Sequence, residues 1–535
     1  MNRLGATTTP GTASRLTSGT AGSKRGPGPV STPWRRVLLS AFAAFAAVAA
    51  LLAAPAAAQA TTTLTNVRVA AATSSSLTVT LDSLGSGWTY KLYASATKTD
   101  VYYTNLATAP YQSPSSTTPT VTVSGLPYTT KTYWIRVQAT YGTSHHTGDI
   151  LSAGVLPATP TAVTVGGSAG HGSWITWTAN AGGFVVEQAT DSAFTIGAHS
   201  YSLRGTVNQF TPYGLTDGAR YYLRVRGNNY GTLSGWSSAV STVAASHEQA
   251  VRVGTYNVVE NFLDGTVENG NTISPWSDRV TGVTASIKSS GASVVGVQEA
   301  AGWVGAQCAY RQLGTRQIDD LVTHLGSPWA LAQTEVRPCL PGWARTGVYI
   351  TYDSSKFSAV NAGGQWNIGT STYPRWAVYQ QLRSTSTGAQ LLFVTPHLVV
   401  GNSTSLDLDR QTETTTMVAD AKAYAAAHGD PAVVYAGDFN SHELHPLDGP
   451  AVVMSAAKAA DGLLSAQSLV NQQYNSANGY MRTPPVDGHS IDHVYAAPGV
   501  GVHSWQLVMA LTSGSFVGTI PSDHNLLVAD LSYPY

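Results

Sequence analysis

Charged residues are scarce in this 535-residue sequence. Asp, Glu, Lys and Arg make up 11% of it, against about 25% in an average soluble protein. The 29 acidic and 29 basic residues cancel, so the chain lacks the overall positive field that attracts nucleic acid, although a local basic groove is compatible with this sum. Serine, threonine, glycine and alanine replace the missing charge, a composition typical of extracellular β-rich proteins.

Cysteine is almost absent as well. The sequence holds Cys308 and Cys339 and no other cysteine. Neither has a His or Cys neighbour at zinc-finger spacing, which argues against a structural zinc site there. In an exported chain the two residues predict a single disulfide, and two buried thiols are the alternative.

One long apolar run, residues 37–54, lies near the N-terminus. It follows the pair Arg35-Arg36 and precedes an Ala-Gln-Ala sequence at 58–60, the small-x-small pattern that signal peptidases cut. We therefore predict that residues 1–60 are a basic extension and signal peptide, and that the mature protein is secreted and soluble. A membrane anchor is the alternative, because the run approaches the ~20 residues that span a bilayer. Cleavage of the signal and use of the twin-arginine route stay open.

Two consecutive stretches, residues 61–157 and 158–246, alternate apolar and polar residues in short runs that Gly, Ser and Pro separate. This period-two pattern predicts a β-sandwich in each stretch. A Gly-Leu turn followed by an aromatic-Arg-Val strand begins at Gly125 and recurs at Gly214, a spacing of one such domain. The repeat resembles fibronectin type III modules, which implies two all-β immunoglobulin-like sandwiches. We expect them to be spacers, with carbohydrate or cell-surface contact as the alternative.

From about residue 250 the pattern changes to apolar strands that alternate with helical stretches. Residues 251–256 and 293–298 are predicted to be strands, and residues 278–289 and 412–428 helices. The mixture continues to the end of the chain. Residues 250–535 are therefore predicted to form a single α/β domain with layered sheets.

Polar residues stand where the predicted strands of this domain end. Asn257 and Glu299 follow the first two strands, and a carboxylate at a buried strand end is a natural ligand for a divalent metal ion. Asp438 ends a later strand and Asn440 lies two residues on, so both side chains can point the same way and position a water and a phosphate oxygen. The alternatives are polar strand ends that face water and an Asx turn.

Two Asp-His pairs stand near the end of the chain, Asp492-His493 and Asp523-His524. An aspartate that contacts a histidine fixes the imidazole tautomer and stabilises its protonated form. Such a dyad serves as a general base. A polar cap on the following strand is the alternative for the second pair.

Six short motifs, taken in their order along the chain, resemble the endonuclease/exonuclease/phosphatase superfamily. They are Thr-Tyr-Asn ending at Asn257, Gln-Glu ending at Glu299, Pro-His-Leu around His397, Gly-Asp-Phe-Asn at 437–440, Ile-Asp-His at 491–493 and Ser-Asp-His at 522–524. That superfamily includes pancreatic-type deoxyribonucleases, abasic-site endonucleases, bacterial sphingomyelinases and inositol-polyphosphate phosphatases. The resemblance covers nearly all of residues 251–535 and implies a four-layer α/β sandwich of two mixed β-sheets flanked by helices.

The resemblance implies a Mg²⁺ site, with Mn²⁺ or Ca²⁺ as alternatives. Glu299 would be the principal ligand. Asn257 would lie close to the metal and the phosphate, and Asp523 would complete the metal or base shell. These assignments agree with the chemistry, since a cation neutralises the anionic phosphodiester that otherwise resists attack.

The same resemblance implies the catalytic roles. His524 would be the general base or a phosphate-contacting imidazole, oriented by Asp492. His397 would hold a phosphate oxygen or act as a second acid. Asp438 would orient the attacking water or the leaving group, and Asn440 would bind phosphate.

Several positions depart from the family pattern. Arg345 stands where a carboxylate partner of the Pro-His-Leu histidine is expected in the deoxyribonucleases, and it is a candidate phosphate contact, as is Arg375. His493 occupies a position where an aromatic residue is common, so it is a packed imidazole or a catalytic one. His442 and His445 either line the cleft or are solvated.

These observations predict a secreted, metal-dependent hydrolase of phosphodiester bonds, with a nuclease slightly favoured. A nonspecific nuclease should have clustered Lys and Arg, and residues 251–535 contain no such cluster. A sphingomyelinase-like lipid phosphodiesterase or a phosphomonoesterase is therefore the alternative, and a surface-binding protein with an inactive catalytic domain is a third. The expected partner is a nucleic acid, phospholipid or small phosphoester, and the expected state is a monomer.

Overall fold

The computed structural model describes residues 64–127, 131–167, 172–205, 207–244, 247–300, 316–332, 347–369, 375–445, 447–465 and 467–535. Residues Thr63–Tyr535 form one compact unit. Cys308, Cys339 and Arg345 lie outside the described residues, so the disulfide and the phosphate contact by Arg345 stay predictions. Among the described helices, none is both long and apolar enough to cross a membrane.

The first part of the chain folds into two antiparallel sheets around one core. Its strands are β1 (Arg68–Ala72), β2 (Ser76–Thr80), β3 (Thr89–Ser95), β4 (Tyr111–Gln112), β5 (Thr120–Ser124), β6 (Tyr133–Tyr141), β7 (Ser144–Thr147) and β8 (Leu151–Ala153). One sheet has the order β1-β2-β5, and the other has the order β4-β3-β6-β7 with β8 also paired to β6. Strand β6 alternates buried and half-buried residues, as the period-two pattern predicts.

The second part repeats this organisation. Its strands are β9 (Thr161–Gly167), β10 (Ser173–Thr178), β11 (Gly183–Ala189), β12 (His199–Arg204), β13 (Gln209–Phe210), β14 (Arg220–Asn229), β15 (Thr232–Leu233) and β16 (Val240–Val243). The sheets have the orders β13-β10-β9 and β12-β11-β14-β15, with β16 paired to β14. A β-sandwich region before residue 250 is thus present as predicted, whereas its fibronectin type III identity stays a prediction.

The remaining residues form a larger α/β region. Its strands are β17 (Glu248–Asn257), β18 (Val267–Glu268), β19 (Asn271–Thr272), β20 (Val294–Gln298), β21 (Trp329–Leu331), β22 (Tyr349–Asp353), β23 (Phe357–Asn367), β24 (Trp376–Ser384), β25 (Gln390–Pro396), β26 (Ala432–Asp438), β27 (Ala460–Asp461), β28 (Gln467–Val470), β29 (Asp492–Ala496), β30 (Gly501–Val508), β31 (Leu511–Thr512), β32 (Ser515–Phe516) and β33 (Leu526–Pro534). Its helices are α1 (Trp276–Ser290), α2 (Gln317–Leu325), α3 (Thr404–Ala427), α4 (Gly449–Ala456) and α5 (Gly462–Ser465).

Two large mixed sheets build this region. One has seven strands in the order β21-β22-β20-β17-β33-β30-β28, and the other has six in the order β23-β24-β25-β26-β29-β27. Apolar side chains from both sheets share one core, to which Val253, Val294, Phe393 and Val434 contribute. Helices α1 and α2 pack on the seven-stranded sheet, and α3 and α4 pack on the six-stranded sheet.

Helix α3 begins well before the predicted start at residue 412. Its first turns are polar, so apolar periodicity does not reveal them. The hydroxyl of Ser403 caps the helix by accepting the backbone N–H of Leu406 at 3.3 Å, a common N-cap arrangement. Asp407 and Arg410 pair with each other while fully buried, and this pairing allows the polar segment to face the interior.

Candidate active site

The ends of strands from both sheets meet at one edge. Strands β17 and β20 run parallel with Asn257 opposite Gln298, so Glu299, the next residue, lies beside Asn257. Strands β26 and β29 run antiparallel with Asp438 opposite Asp492. The side-chain nitrogen of Asn257 donates to Glu299 Oε1 at 3.0 Å and to Asp438 Oδ2 at 3.2 Å. One amide thus joins the two sheets at the site.

Two site residues have a left-handed backbone. Glu299 has a φ of 57° and Asn440 a φ of 49°, a conformation that is uncommon outside glycine and recurs at functional sites. The N–H of Asn440 donates to Asp438 Oδ1 at 2.9 Å, and its side-chain nitrogen donates to the carbonyl of Leu398 at 3.0 Å. These bonds fix the predicted phosphate-binding residue beside Asp438.

The predicted dyad of Asp492 and His524 is formed. His524 Nδ1 lies 2.8 Å from Asp492 Oδ2, and both side chains are buried. The other ring nitrogen, Nε2, lies 3.8 Å from Asp438 Oδ2. The second oxygen of Asp492, Oδ1, is buried and has no hydrogen-bond partner among the described residues.

His397 lies close to Glu299, the predicted metal ligand, and to Asp438, the predicted catalytic carboxylate. Its Nε2 is 3.6 Å from Asp438 Oδ2 and 3.9 Å from Glu299 Oε1. No carboxylate partner for this histidine could be identified from the sequence. In the described residues its nearest carboxylates are those of the site itself.

Backbone hydrogen bonds fix the position of Asp523. Its carbonyl accepts the N–H groups of Asn478 and Gly479 at 2.6 and 2.9 Å. The hydroxyl of Ser522 donates to the carbonyl of Asn257 at 2.7 Å. These bonds attach the Ser-Asp-His segment to the end of β17 and bring Asp523 close enough to raise the pKa of Glu299.

Two carboxyl groups of the site, those of Glu299 and Asp438, have raised pKa values. Burial, followed by the charge of Asp523, raises the pKa of Glu299 to about 7. Burial and the neighbouring charge of Asp492 raise the pKa of Asp438 to about 6. Crowded buried carboxylates resist ionisation together, so the site favours a cation that would neutralise them.

The two imidazoles of the site shift in opposite directions. Burial lowers the pKa of His397 well below its usual value, and the charges of Arg375 and His524 add to this. Burial also opposes ionisation of His524, but the carboxylates of Asp492 and Asp438 outweigh it and raise that pKa well above the usual value. These shifts favour the neutral form of His397 and the protonated form of His524.

The donor set fits a divalent metal ion. Carboxylate and amide oxygens are the ligands that Mg²⁺, Mn²⁺ and Ca²⁺ prefer. Asp438, Asp492 and His524 each place a ligand atom within 4.8 Å of the others, and the side chain of Asn257 links Glu299 to Asp438 of this group. The unpartnered Asp492 Oδ1 and the raised carboxyl pKa values are what a cation would relieve.

Sequence reasoning missed Glu268, which borders the site from the β18–β19 hairpin. Burial raises its pKa, and the charge of Asp523 adds to this. The hairpin is attached by Asn269, whose side-chain nitrogen donates to the carbonyl of Gly479 at 2.9 Å. No strand-end motif precedes Glu268, so the sequence carries no signal for its position.

The structure resolves two open alternatives. His493 is packed, with Nδ1 at 3.2 Å from Asp461 Oδ2 and Nε2 at 3.1 Å from the carbonyl of Ser441, and Asp461 raises its pKa to about 9 against the effect of burial. The expectation that His445 is solvated is wrong. Its side chain is 6% exposed and Nδ1 lies 3.1 Å from Asp407 Oδ1, because α3 extends far enough to place that carboxylate beneath the loop.

Comparison with known proteins places this region in a family. The model of the Endonuclease/Exonuclease/phosphatase family matches residues 254–524, which is just over half of the chain. A family protein from Bacteroides thetaiotaomicron is 16% identical, with a TM-score of 0.40, and the match covers 54% of this chain and 99% of that one. A mannosyl-6-phosphatase from Bacteroides thetaiotaomicron VPI-5482 is also 16% identical, with a TM-score of 0.40. The match covers 52% of this chain and 99% of that one.

A third structure, the human Nocturnin catalytic domain with bound sulfate, is 18% identical with a TM-score of 0.37, and the match covers 54% of this chain and 97% of that one. A comparison with curated proteins found no match. The residues that converge at the strand ends, Asn257, Glu299, Asp438, Asp492 and His524, all lie inside the matched segment. The chain belongs to the Endonuclease/Exonuclease/phosphatase family.

Proposed function

We propose that this protein is an exported, divalent-metal-dependent phosphoesterase that hydrolyses phosphodiester bonds. The observation that carries the proposal is the convergence of Asn257, Glu299, Asp438 and the Asp492–His524 dyad at one edge of two sheets. Members of this family are hydrolases of phosphoester bonds. Export rests on the N-terminal signal pattern.

Mg²⁺ would be held by Glu299, with Asn257 and Asp523 close by. When bound, the ion supplies charge to neutralise the phosphate and to activate a water. The residues of the chain are arranged to favour it, since Glu299 and Asp438 repel each other and both have raised pKa values. Mn²⁺ and Ca²⁺ are the alternative ions.

The opposed pKa shifts suggest a division of roles. Asp492 and Asp438 favour the protonated form of His524, which can contact a phosphate oxygen or donate a proton. Asp438, with a pKa of about 6, is the group poised to accept a proton from water. Paired groups whose environments push their pKa values apart are the usual acid and base of such sites.

The remaining polar groups position the phosphate. Neutral His397 offers a ring nitrogen next to both carboxylates. Asn440 is fixed by two hydrogen bonds and can contact a phosphate oxygen without rearranging. Preorganised groups of this kind stabilise developing charge because they do not reorient during the reaction.

A lipid phosphodiester is the second candidate substrate. Phe262 is 65% exposed, Val267 68% and Val517 72%. The segments that carry them, the loop after β17 and the β18–β19 and β31–β32 hairpins, share one small core with Tyr480. Exposed apolar groups beside a catalytic cleft suit an apolar substrate surface.

We propose the four-layer sandwich of the family for the α/β region, since two sheets share a core and helices pack on each. We also propose that the two preceding β-sandwiches are fibronectin type III-like modules. Contact of these modules with carbohydrate or a cell surface is the alternative to a spacer role.

A substrate panel tests the function. The mature chain would be assayed with Mg²⁺ and with a chelator on DNA, RNA, sphingomyelin vesicles and matched synthetic phosphodiesters and phosphomonoesters. We expect metal-dependent hydrolysis of at least one diester and a loss of about 10²–10⁴ in rate for His524→Ala. His324→Ala, at the exposed end of α2, is the matched control and should keep full activity.

Three other results of the substrate panel would change the proposed function. Full activity in His524→Ala would refute the mechanism. Hydrolysis of monoesters alone would replace the diesterase by a phosphomonoesterase. Binding without hydrolysis of any substrate would support an inactive, surface-binding protein.

A further inference from the structure

A second cluster of metal-ligating side chains lies beside the active site. His442, Glu443 and His489 each offer a ligand atom, and these atoms lie within 4.8 Å of one another. The rings of His442 and His489 stack with centroids 5.0 Å apart and an interplanar angle of 22°. The cluster stands apart from the residues that the proposed phosphoesterase chemistry uses.

A proton now occupies the place that an ion would take. His489 Nδ1 lies 2.7 Å from Glu443 Oε1, a bond that a hydrogen must bridge. His442 Nδ1 accepts the backbone N–H of Leu444 at 3.2 Å, which engages the lone pair of that nitrogen. An ion bound by Glu443 and His489 would take the place of the hydrogen between them, and His442 would bind it either through Nδ1, in place of the Leu444 contact, or through Nε2.

The donor set favours Zn²⁺ over the ions expected at the catalytic site. Two imidazoles and one carboxylate form the ligand set of many zinc sites that keep an open position. Mg²⁺ and Ca²⁺ prefer oxygen ligands and seldom bind imidazole. Glu443 has a side chain 64% exposed and His489 one 27% exposed, so an ion can enter from solvent.

Both segments that carry the ligands are held in place independently of any ion. His445, in the same loop as His442, is fixed by Asp407 of α3, and Asp407 Oδ2 also accepts the N–H of Leu447 at 3.2 Å. The carbonyl of His489 accepts the N–H of Ser476 at 3.0 Å. The ligands thus have little freedom to lose on binding, which favours affinity.

We propose that His442, Glu443 and His489 form a Zn²⁺ site, distinct from the catalytic site, that links the loop after β26 to the loop before β29. The first loop carries Asn440 and the second leads into Asp492. An ion at this position therefore cross-links two segments that end in catalytic residues. Its effect is on the stability of the site.

Metal binding with Mg²⁺ present tests the site. The full mature chain would be freed of metal with a chelator, saturated with Mg²⁺ and titrated with Zn²⁺ by calorimetry, and with Co²⁺ by visible absorption. We expect one Zn²⁺ site, an imidazole-type Co²⁺ spectrum, and a rise in Tm of about 5 °C when Zn²⁺ exceeds its dissociation constant about a hundredfold.

Variants locate the ion. His489→Ala and Glu443→Gln should lose the Zn²⁺-dependent rise in Tm and the Co²⁺ spectrum while keeping phosphoesterase activity with Mg²⁺. Asp438→Asn and the surface control His324→Ala should keep both signals. Because Glu443 is exposed, Glu443→Gln should fold even if His489→Ala does not.

Two results would overturn the proposal. One is Zn²⁺ binding that persists unchanged in Glu443→Gln and His489→Ala. The other is Zn²⁺ binding that is lost in Asp438→Asn instead, which would place the ion in the catalytic site. Since the readouts are binding and Tm, a failure of the proposed phosphoesterase activity would leave this test intact.

Discussion

Two Asp–His pairs lie on opposite faces of the short strand β29. Successive side chains of a strand point to opposite faces, so Asp492 reaches His524 while its neighbour His493 reaches Asp461 on the other side. The first pair faces the catalytic cleft. The second contacts the carbonyl of Ser441 and so braces the residue that follows Asn440.

The buried pair of Asp461 and His493 should make stability depend on pH. Asp461 raises the pKa of His493 to about 9, above the ~6.5 of an unfolded chain. This pair therefore stabilises the fold fully below pH ~6.5, and the contribution is lost as the pH rises through about 9, up to about 3 kcal/mol in all. Asp461→Asn should flatten the fall in unfolding free energy between those pH values, as measured by urea titration.

The dyad of Asp492 and His524 also contributes to the pH dependence of the unfolding free energy. The effect of the Asp461–His493 pair is therefore the difference between the slopes of Asp461→Asn and of the parent protein. Asp278→Asn, an exposed position in the first turn of α1, is the control and should leave the slope unchanged. An equal slope in Asp461→Asn and the parent would contradict the assignment.

The raised carboxyl pKa values should make metal activation pH-dependent. Below the values of about 7 for Glu299 and about 6 for Asp438, protons occupy the carboxylate that would bind the ion and a carboxylate beside it. Metal and protons then compete, so the Mg²⁺ concentration for half-maximal activity should rise as the pH falls from 8 to 5.5, by about tenfold or more. The rate at saturating Mg²⁺ separates this effect from loss of catalysis, and a half-maximal concentration that is constant over this range would contradict it.

At the scale of elements, the two sheets approach each other closely just behind the site. A Cβ added to Gly296 of β20 would lie 2.8 Å from Thr395 Cβ and 2.9 Å from the carbonyl oxygen of Ala436. A buried chain of hydrogen bonds crosses the same contact, from Thr255 Oγ1 to Gln298 Oε1 at 3.1 Å and from Gln298 Nε2 to Thr395 Oγ1 at 2.8 Å. The absence of a side chain at Gly296 therefore sets the spacing of strands that carry catalytic residues.

Gly296→Ala should push the sheets apart. The overpacked methyl group should cost about 1–3 kcal/mol of unfolding free energy, and the rate should fall because Glu299 and Asp438 come from opposite sheets. Gly235→Ala is the control, since its added Cβ meets the hydroxyl of Thr159 at 3.3 Å. Urea unfolding and steady-state kinetics on both variants check this, and unchanged stability in Gly296→Ala would show that the sheets can adjust.

At the scale of the whole molecule, the second β-sandwich contacts the α/β region. The ring of Tyr213 stacks on His503 of β30 with centroids 3.8 Å apart and an interplanar angle of 22°. Arg204 donates to Gln472 Oε1 at 2.8 Å. Such contacts couple the stability of the two regions, which a flexible tether would not do.

Tyr213→Ala should weaken this coupling. Loss of the stacked ring should remove about 1 kcal/mol and lower the Tm of the α/β region by about 2–4 °C. Tyr230→Ala, whose side chain is 56% exposed, should leave that Tm unchanged. Differential scanning calorimetry distinguishes the outcomes, and equal Tm values for the two variants would show that the regions are thermally independent.

Much of the site could be predicted because its residues follow apolar strands. Asn257, Glu299 and Asp438 stand at the ends of strands that apolar patterns reveal, and strand ends share an edge. The start of α3 at Thr404 could not be predicted, because a buried ion pair, invisible to apolar periodicity, places its first turns. The position of Glu268 could not be predicted either, since it depends on how a hairpin packs.

The sequence by itself determined the family, the positions of several strands and helices, and the identity of the residues at the strand ends. These follow from local patterns of apolar and polar residues. Tertiary structure alone decided which distant groups meet: that Asn257 bridges Glu299 and Asp438, that His493 pairs with Asp461, and that His442 approaches His489. Such pairings depend on sheet register and on loop packing between residues far apart in the chain, and no local pattern specifies them.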